Sequence, residues 1–108
     1  LLLPLYPQFS TTTTGSSLSD WRRAAVRAGL AVPVTTLCCW PADPGFVQAE
    51  AALLRETLAR AEAALPAGTR LRILFSAHGL PEVIVRRGDP YQVQVEQSVA
   101  AIIAALPA

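Results

Sequence analysis

The chain has 108 residues, 52% of them apolar, and a formal net charge of +1. This length and apolar content suit one small domain with a real core, and they argue against disorder. The sparse, balanced charge gives no basis for binding nucleic acid or an acidic membrane surface, and no apolar run is long enough to cross a bilayer.

The first predicted elements are a short strand over residues 1–6, a polar loop "YPQFSTTTTGSS" and a helix that starts near Ser17. Asp20 stands three residues after Ser17, a weak capping box, and Gly29 is a plausible stop. Hydroxyls and backbone N–H groups at a helix start can bind an anion, which we expect at Gly15, Ser16 and Ser17. The alternative is a loop whose hydroxyls satisfy its own backbone.

A second strand is predicted over residues 32–40, "VPVTTLCCW", which is β-branched and apolar. Its adjacent cysteines, Cys38 and Cys39, rarely pair, because the connecting ring is strained. We expect two reduced, packed thiols of a cytoplasmic protein, since the spacing supplies no partners for a metal site.

A long helix is predicted from Asp43 to Leu65, with Asp43 as cap and Pro44 at the first helical position. Its apolar residues recur at helical spacing; they are Val47, Ala51, Leu54, Leu58, Ala61 and Leu65. A third strand follows over residues 70–77. Asp89 and Gln92 predict a capping box at the start of the last helix, whose apolar face carries Val95, Val99, Ile102 and Leu106.

Strands that alternate with helices predict an α/β fold, a parallel sheet with flanking helices. Ligands of such a sheet bind outside the carboxyl ends of its strands. Two chemically unusual loops follow strands here, the hydroxyl-rich loop after residue 6 and "SAHGLPE" after residue 75. We expect these two loops to approach each other.

His78, the only histidine, lies in the second of these loops. Imidazole titrates near neutral pH, and its neutral form binds borderline metals. Gly79 leaves room beside it for a flat ligand, and Pro81 disfavours a helix. The alternative is a structural histidine bonded to a carbonyl. Glu82 follows four residues later, but we expect a solvated carboxylate because Pro81 interrupts the helical spacing that a metal pair would need.

Two aromatic residues, Tyr6 and Trp40, stand near predicted strand ends. Either ring can stack on a planar ligand, and packing in the core or at its rim is the alternative. The chain contains no methionine, so we expect an internal piece of a longer protein. All nine basic residues are arginines, which excludes a Walker lysine or a lysine Schiff base within this segment.

Three segments together carry a family resemblance: "LPLYPQFSTTTTGSSL", "CCWPADPGFVQA" and "ILFSAHGLPEVIVRRGDPY". In this order they resemble ferrochelatase, the enzyme that inserts ferrous iron into protoporphyrin IX to make haem. The resemblance implies a two-domain, chelatase-like (Rossmann-like) α/β architecture with a porphyrin cleft. Residues 1–42 would end the first half, residues 43–68 would form a connecting helix, and residues 69–108 would begin the second half.

The resemblance also implies residue roles. His78 is expected to be catalytic, as a metal ligand or as acceptor of pyrrole protons, and the family's partner glutamate lies further along. Tyr6, Ser10 and Trp40 are the candidate substrate-binding residues. Protoporphyrin IX and ferrous iron are the implied substrates, with no nucleic-acid partner and no tightly bound cofactor. We expect the isolated chain to be inactive and the whole protein to be cytoplasmic.

One departure concerns the [2Fe-2S] cluster that some ferrochelatases hold. Their cluster ligand directly after the "YPQ-aromatic-Ser" stretch is a cysteine, whereas this chain has Thr11 there. We therefore expect no cluster of that arrangement. Two alternatives to iron insertion stay open at this point, a non-catalytic α/β module that binds an anion or tetrapyrrole, and a chelatase for cobalt or nickel.

Overall fold

A computed structural model describes residues 1–107, which form four α-helices and one π-helical turn. The π-turn spans Thr11–Gly15 and continues into α1, Ser16–Arg27. Helix α2 is Pro44–Ala64, α3 is Glu82–Arg86 and α4 is Tyr91–Ala104. Within the described part of the chain, no helix combines the length and the apolar character needed to cross a membrane.

The predicted parallel sheet is reduced to one parallel bridge, between Leu2 and Thr36. The Leu2 N–H donates to the Thr35 carbonyl at 2.8 Å, and the Leu37 N–H donates to the Leu2 carbonyl at 3.0 Å. The first two predicted strands therefore lie side by side in the predicted direction, but neither forms a regular strand among residues 1–107.

The third predicted strand, residues 70–77, is also irregular, and its Leu74 is 84% exposed. An extended segment becomes a strand only when its backbone groups bond to a neighbour. Within residues 1–107, no backbone hydrogen bond joins this segment to another. Of the predicted sheet, only one parallel bridge is therefore present among residues 1–107. An apolar pattern identifies a segment that can be a strand, but it does not provide the neighbouring strand.

The hydroxyl-rich loop is the start of a helix, which corrects the expected boundary. Ser10 is the cap and its hydroxyl accepts from the Thr12 N–H at 3.2 Å. The Gly15 N–H donates to the Ser10 carbonyl at 3.0 Å, the i→i+5 bond of a π-turn. Ser17 therefore lies inside the helix, and the expected capping box with Asp20 is wrong.

The main apolar contact packs α2 against α4. Asp43 caps α2 as predicted, accepting from the Phe46 N–H at 3.0 Å. Val47 and Ala51 on the predicted stripe of α2 are buried, and so is Ile102 on the predicted stripe of α4. The periodicity therefore identified the buried faces correctly.

These three residues are the whole apolar core of the described chain, which extends 64 × 31 × 20 Å with a radius of gyration of 18.5 Å. A compact domain of this length has a radius of gyration of about 13 Å. Apolar packing alone thus leaves the molecule elongated, and polar contacts between distant segments carry much of its tertiary structure. The domain boundaries proposed at residues 42/43 and 68/69 stay predictions.

Candidate functional site

The carboxylate of Asp89 joins the start of the first helix to the start of α4. Its Oδ2 accepts from the Ser10 hydroxyl at 3.0 Å, the Thr11 N–H at 2.7 Å and the Thr11 hydroxyl at 2.6 Å. Its Oδ1 accepts from the Tyr91 N–H at 3.0 Å. We call Asp89 with Ser10, Thr11 and Tyr91 the Asp89 latch. It connects Asp89 to Thr11 and Ser10, which lie 78 and 79 residues earlier in the sequence.

The latch favours the ionised form of Asp89, which is only 7% exposed. Burial by itself raises the pKa of this carboxyl, but hydrogen bonds from the Thr11 hydroxyl, the Tyr91 and Thr11 N–H groups and the Ser10 hydroxyl outweigh burial. The net pKa lies below the ordinary value of 3.8. A carboxylate at the N-terminus of a helix is also stabilised by the helix dipole. The carboxylate binds Ser10 and Thr11, not Gly15 to Ser17, where an anion is expected from the sequence.

The latch overturns the prediction of a capping box between Asp89 and Gln92. Pro90 is the cap residue of α4, and the Gln92 amide donates instead to Glu96 Oε1 at 3.0 Å. Asp89 lies one residue earlier than a cap, so its carboxylate can reach Tyr91 N–H and still bind the hydroxyl segment.

A second set of polar contacts lies beside the latch along α4. The Phe9 N–H donates to Gln94 Oε1 at 2.7 Å, and the Gln8 amide donates to the Ser98 hydroxyl at 2.8 Å. The Ser98 oxygen lies 2.7 Å from the Pro41 carbonyl, which accepts its hydrogen. Residues 8–11 are therefore fixed along α4 and the turn before it by hydrogen bonds at four successive positions.

His78 is exposed at the mouth of the third extended segment. Its Nδ1 lies 2.9 Å from the Gly79 carbonyl oxygen. A carbonyl only accepts, so this bond requires the hydrogen on Nδ1 and leaves the lone pair on Nε2. The ring is thus oriented by its own loop, with Nε2 available as a base or as a metal ligand.

The two unusual loops meet, as expected, around one cavity of about 450 Å³. Tyr6, Ser10, Thr12 and Thr13 contribute from the first loop, and His78 contributes from the second, together with Gly79, Leu80, Pro81 and Tyr91. The cavity places an imidazole, hydroxyls and two phenol rings around one space. Such a mixed apolar and polar lining is typical of small-molecule sites.

The predicted substrate-binding residues differ in how well they are placed. Tyr6 lines the cavity and is 62% exposed, whereas Ser10 lines it at only 1% exposure. The Ser10 hydroxyl donates to Asp89 and accepts from the Thr12 N–H, so it is committed to the latch. Thr12 and Thr13 are the hydroxyl residues of this wall that are not fully buried.

Trp40 is not brought to this cavity. Its ring meets Phe46 edge to face, with centroids 5.4 Å apart, and its Nε1–H donates to the Pro4 carbonyl at 3.0 Å. These contacts favour the packing alternative, in which the indole fixes the N-terminal segment at the start of α2.

The two cysteines are free, with their sulfur atoms 2.9 Å apart. Cys38 is exposed, so the expectation that both are packed is wrong for this residue; Cys39 is half-buried and accepts from the Gln94 amide at 3.5 Å. The hydrogen bond with the Cys39 thiol and partial burial raise the pKa of Cys38. Among residues 1–107, no three His, Cys, Asp or Glu side chains are close enough to hold a metal ion.

The residues that sequence reasoning missed are those that fix the site, namely Asp89, Gln8, Gln94 and Ser98; of these, Gln8 also lines the cavity. A signal was present on α4. Gln94 lies three residues after Tyr91, and Ser98 lies four residues after Gln94, on the helix face that continues to buried Ile102. Polar residues on a buried helix face need partners, which here come from residues 8, 9 and 41.

Comparison with known proteins gives a consistent result along the whole sequence. The family model named Ferrochelatase matches residues 1–108. Ferrochelatases of Phenylobacterium zucineum (strain HLK1) and Caulobacter vibrioides (strain NA1000 / CB15N) are each 50% identical over 107 residues, which cover 99% of this chain. A ferrochelatase of Rickettsia bellii (strain OSU 85-389) is 44% identical over 103 residues. The chain spans 29% of the length of the first two relatives and 26% of the third.

Proposed function

The chain belongs to the ferrochelatase family, and we propose that the protein containing it inserts ferrous iron into protoporphyrin IX with His78 at the reacting centre. The chain spans less than a third of the length of its relatives, so the proposal concerns a protein of the relatives' length, called here the full-length protein. The observation that carries it is the presence of the His78 ring and Tyr6 on one cavity between the two loops.

His78 suits either role that metal insertion offers. The reaction removes two pyrrole protons from the porphyrin and forms bonds from its four nitrogens to Fe²⁺. With its hydrogen on Nδ1 held by the Gly79 carbonyl, the imidazole presents Nε2, which accepts one pyrrole proton at a time and returns it to water. The same lone pair is an acceptable ligand for ferrous iron before insertion. His78 supplies one ligand, and the remaining ligands come from the iron's water or from other parts of the full-length protein.

The cavity walls suit a flat, amphipathic substrate. Tyr6 offers an exposed ring face, and Thr12 and Thr13 offer hydroxyls on the same side. A tetrapyrrole has an apolar macrocycle with carboxylate side chains, so it matches an aromatic surface next to a hydroxyl donor. We assign Tyr6 to stacking and the Thr13 hydroxyl to donation, with Ser10 holding the segment in place.

Two further parts of the proposal concern what accompanies the reaction. No [2Fe-2S] cluster is assigned to the position of Thr11, because its hydroxyl is an Asp89 donor and threonine is not a cluster ligand. A cytoplasmic location is inferred from two free, neighbouring thiols, which persist in reducing compartments.

The test uses the full-length protein supplied with protoporphyrin IX and ferrous iron under anaerobic conditions. Haem formation is followed by absorbance for the wild type and for His78→Ala. We expect the wild type to form haem and the variant to lose at least about a hundredfold in kcat, the scale of a missing general base.

Porphyrin affinity, measured without iron by fluorescence, is the companion measurement. It stays within about threefold in His78→Ala, because the ring acts on protons and metal more than on the macrocycle. Unchanged turnover in the variant would refute the role of His78. Porphyrin binding without haem formation by the wild type would replace the enzyme with a tetrapyrrole-binding module.

A further inference from the structure

We infer that Asp89 is a positioning residue that sets the spacing between the two walls of the porphyrin cavity; this inference rests on the proposed function. Asp89 does not line the cavity of about 450 Å³. Its four hydrogen bonds nevertheless connect both walls, because they end on Ser10 and Thr11 on one side and on Tyr91 on the other.

The hydroxyl wall depends on the carboxylate through a directed chain of hydrogen bonds. Ionised Asp89 only accepts, so the single hydrogen of Ser10 points to Oδ2. The Ser10 oxygen then accepts from the Thr12 N–H and from the Thr12 hydroxyl, whose oxygen lies 2.8 Å away. Asp89 therefore orients Thr12 indirectly, through Ser10, and the Thr12 hydroxyl presents only lone pairs to the cavity.

The opposite wall is fixed by the same side chain. The Tyr91 N–H donates to Oδ1, at the first residue of α4, and Tyr91 lines this cavity together with His78. Residues 70–77 have no regular backbone pairing within the described chain, so the helices nearest in sequence to the His78 loop follow it, α3 from Glu82 and then α4 from Tyr91. A carboxylate that holds α4 to the hydroxyl segment thereby fixes where Thr12 stands relative to Tyr91.

The latch also explains why two polar segments far apart in sequence are both needed. "FSTT" supplies the donors and "GDPY" supplies the acceptor and the Tyr91 N–H. Pro90 has no N–H to compete for the carboxylate, and Gly88 has a φ of +90°, a conformation that a side chain would strain. The turn thus presents the Asp89 side chain toward residues 10 and 11.

The experiment compares Asp89→Asn, Thr11→Val and Thr11→Ser in the full-length protein, with Asp20→Asn as the matched control. Asp20 is an exposed carboxylate on α1 that pairs with Arg23, outside the site. Protoporphyrin affinity is measured by fluorescence without iron, and kcat and KM are measured with iron. Melting temperatures identify any variant that fails to fold.

We expect Asp89→Asn to weaken porphyrin affinity and to raise KM by about tenfold while kcat changes by less than about threefold, since misplaced walls cost binding geometry. Thr11→Val, which removes one donor without changing side-chain shape, weakens affinity by about threefold, and Thr11→Ser restores it. Asp20→Asn matches the wild type. In the double variant Asp89→Asn/Thr11→Val, the loss does not exceed that of Asp89→Asn alone, because the bond that Thr11→Val removes ends on the carboxylate that Asp89→Asn already replaces.

Each contrary result has one meaning. Wild-type affinity in folded Asp89→Asn overturns the positioning role, and so does a loss confined to kcat. Equal losses in Thr11→Val and Thr11→Ser also overturn it, because the hydroxyl is then irrelevant. If the wild type binds porphyrin but forms no haem, the enzymatic proposal fails while the affinity series still decides the role of Asp89.

Discussion

The Asp89 latch and the His78 segment are opposite kinds of structure that border the same cavity. In the latch, a buried carboxylate receives four hydrogen bonds from residues distant in sequence. Around His78, the hydrogen bond of the ring goes to the adjacent residue, and both the ring and the preceding segment are exposed.

This difference distinguishes the residues that hold the site in place, in the Asp89 latch, from His78, the residue that can react. A group held by many partners is costly to move and cannot easily change its protonation state. A side chain with one orienting bond and a free nitrogen can exchange protons and ligands. The cavity therefore has a rigid hydroxyl wall and an imidazole whose final position depends on what pairs with residues 70–77.

The largest expected effect is a difference in the free energy of unfolding between a variant of the latch and a variant of His78. Asp89→Ala leaves donors on buried Ser10, exposed Thr11 and half-buried Tyr91 without this acceptor. We expect a cost of about 3 kcal/mol, since bonds to a charged group contribute about 1.5–3 kcal/mol each and water can replace part of those made by exposed donors. His78→Ala removes only an exposed ring and changes stability by less than about 0.5 kcal/mol. Urea denaturation of the full-length variants measures both free energies of unfolding. If His78→Ala lost as much stability as Asp89→Ala, the proposed difference between the two regions would be wrong.

A smaller effect is expected from acid, because protonation removes the charge of Asp89 but leaves its oxygens in place. The folded-state pKa lies below the ordinary value. The stabilisation is therefore complete above the unfolded pKa of about 4, and it is lost as pH falls through the folded-state pKa. We expect hydrogen exchange of the amides at residues 11–15, corrected for its intrinsic pH dependence, to accelerate below about pH 4.

Asp89→Asn is the control for the acid experiment, since an amide does not titrate. Its corrected exchange at residues 11–15 should show no step in the same pH range. A step of equal size in this variant would assign the acid sensitivity to another group and leave the Asp89 carboxylate without a measurable pH signature.

Local signals in the sequence predicted α2 and the buried face of α4 well. Asp43 followed by Pro44, and apolar residues repeating from Val47 onwards, describe α2 to within one residue at each end. These features act over one or two turns, so neighbouring residues are enough to determine them. The role of His78 was predicted from its place after an apolar run and from the family resemblance, and it stays a prediction; the structure places the ring at a cavity.

Features that depend on residues distant in sequence could not be predicted from local sequence patterns. Asp89 satisfied the pattern of a cap, yet its carboxylate binds residues 10 and 11, which no spacing rule connects to it. Residues 70–77 have the apolar pattern of a strand, but pairing requires a neighbour that the pattern does not name. The early helix start at Thr11 was missed because a four-threonine run indicates a loop unless Ser10 is recognised as its cap.

The smallest expected effect lies within the His78 region itself, at Glu82. Its side chain is 76% exposed and forms an ion pair with Arg86 one turn along α3. A solvated pair of this kind contributes less than about 1 kcal/mol. Glu82→Gln should therefore leave haem formation and iron KM in the full-length protein within about twofold of the wild type. A large rise in iron KM would make Glu82 a second iron ligand beside His78, and the exposed region would then bind metal as a pair instead of through one imidazole.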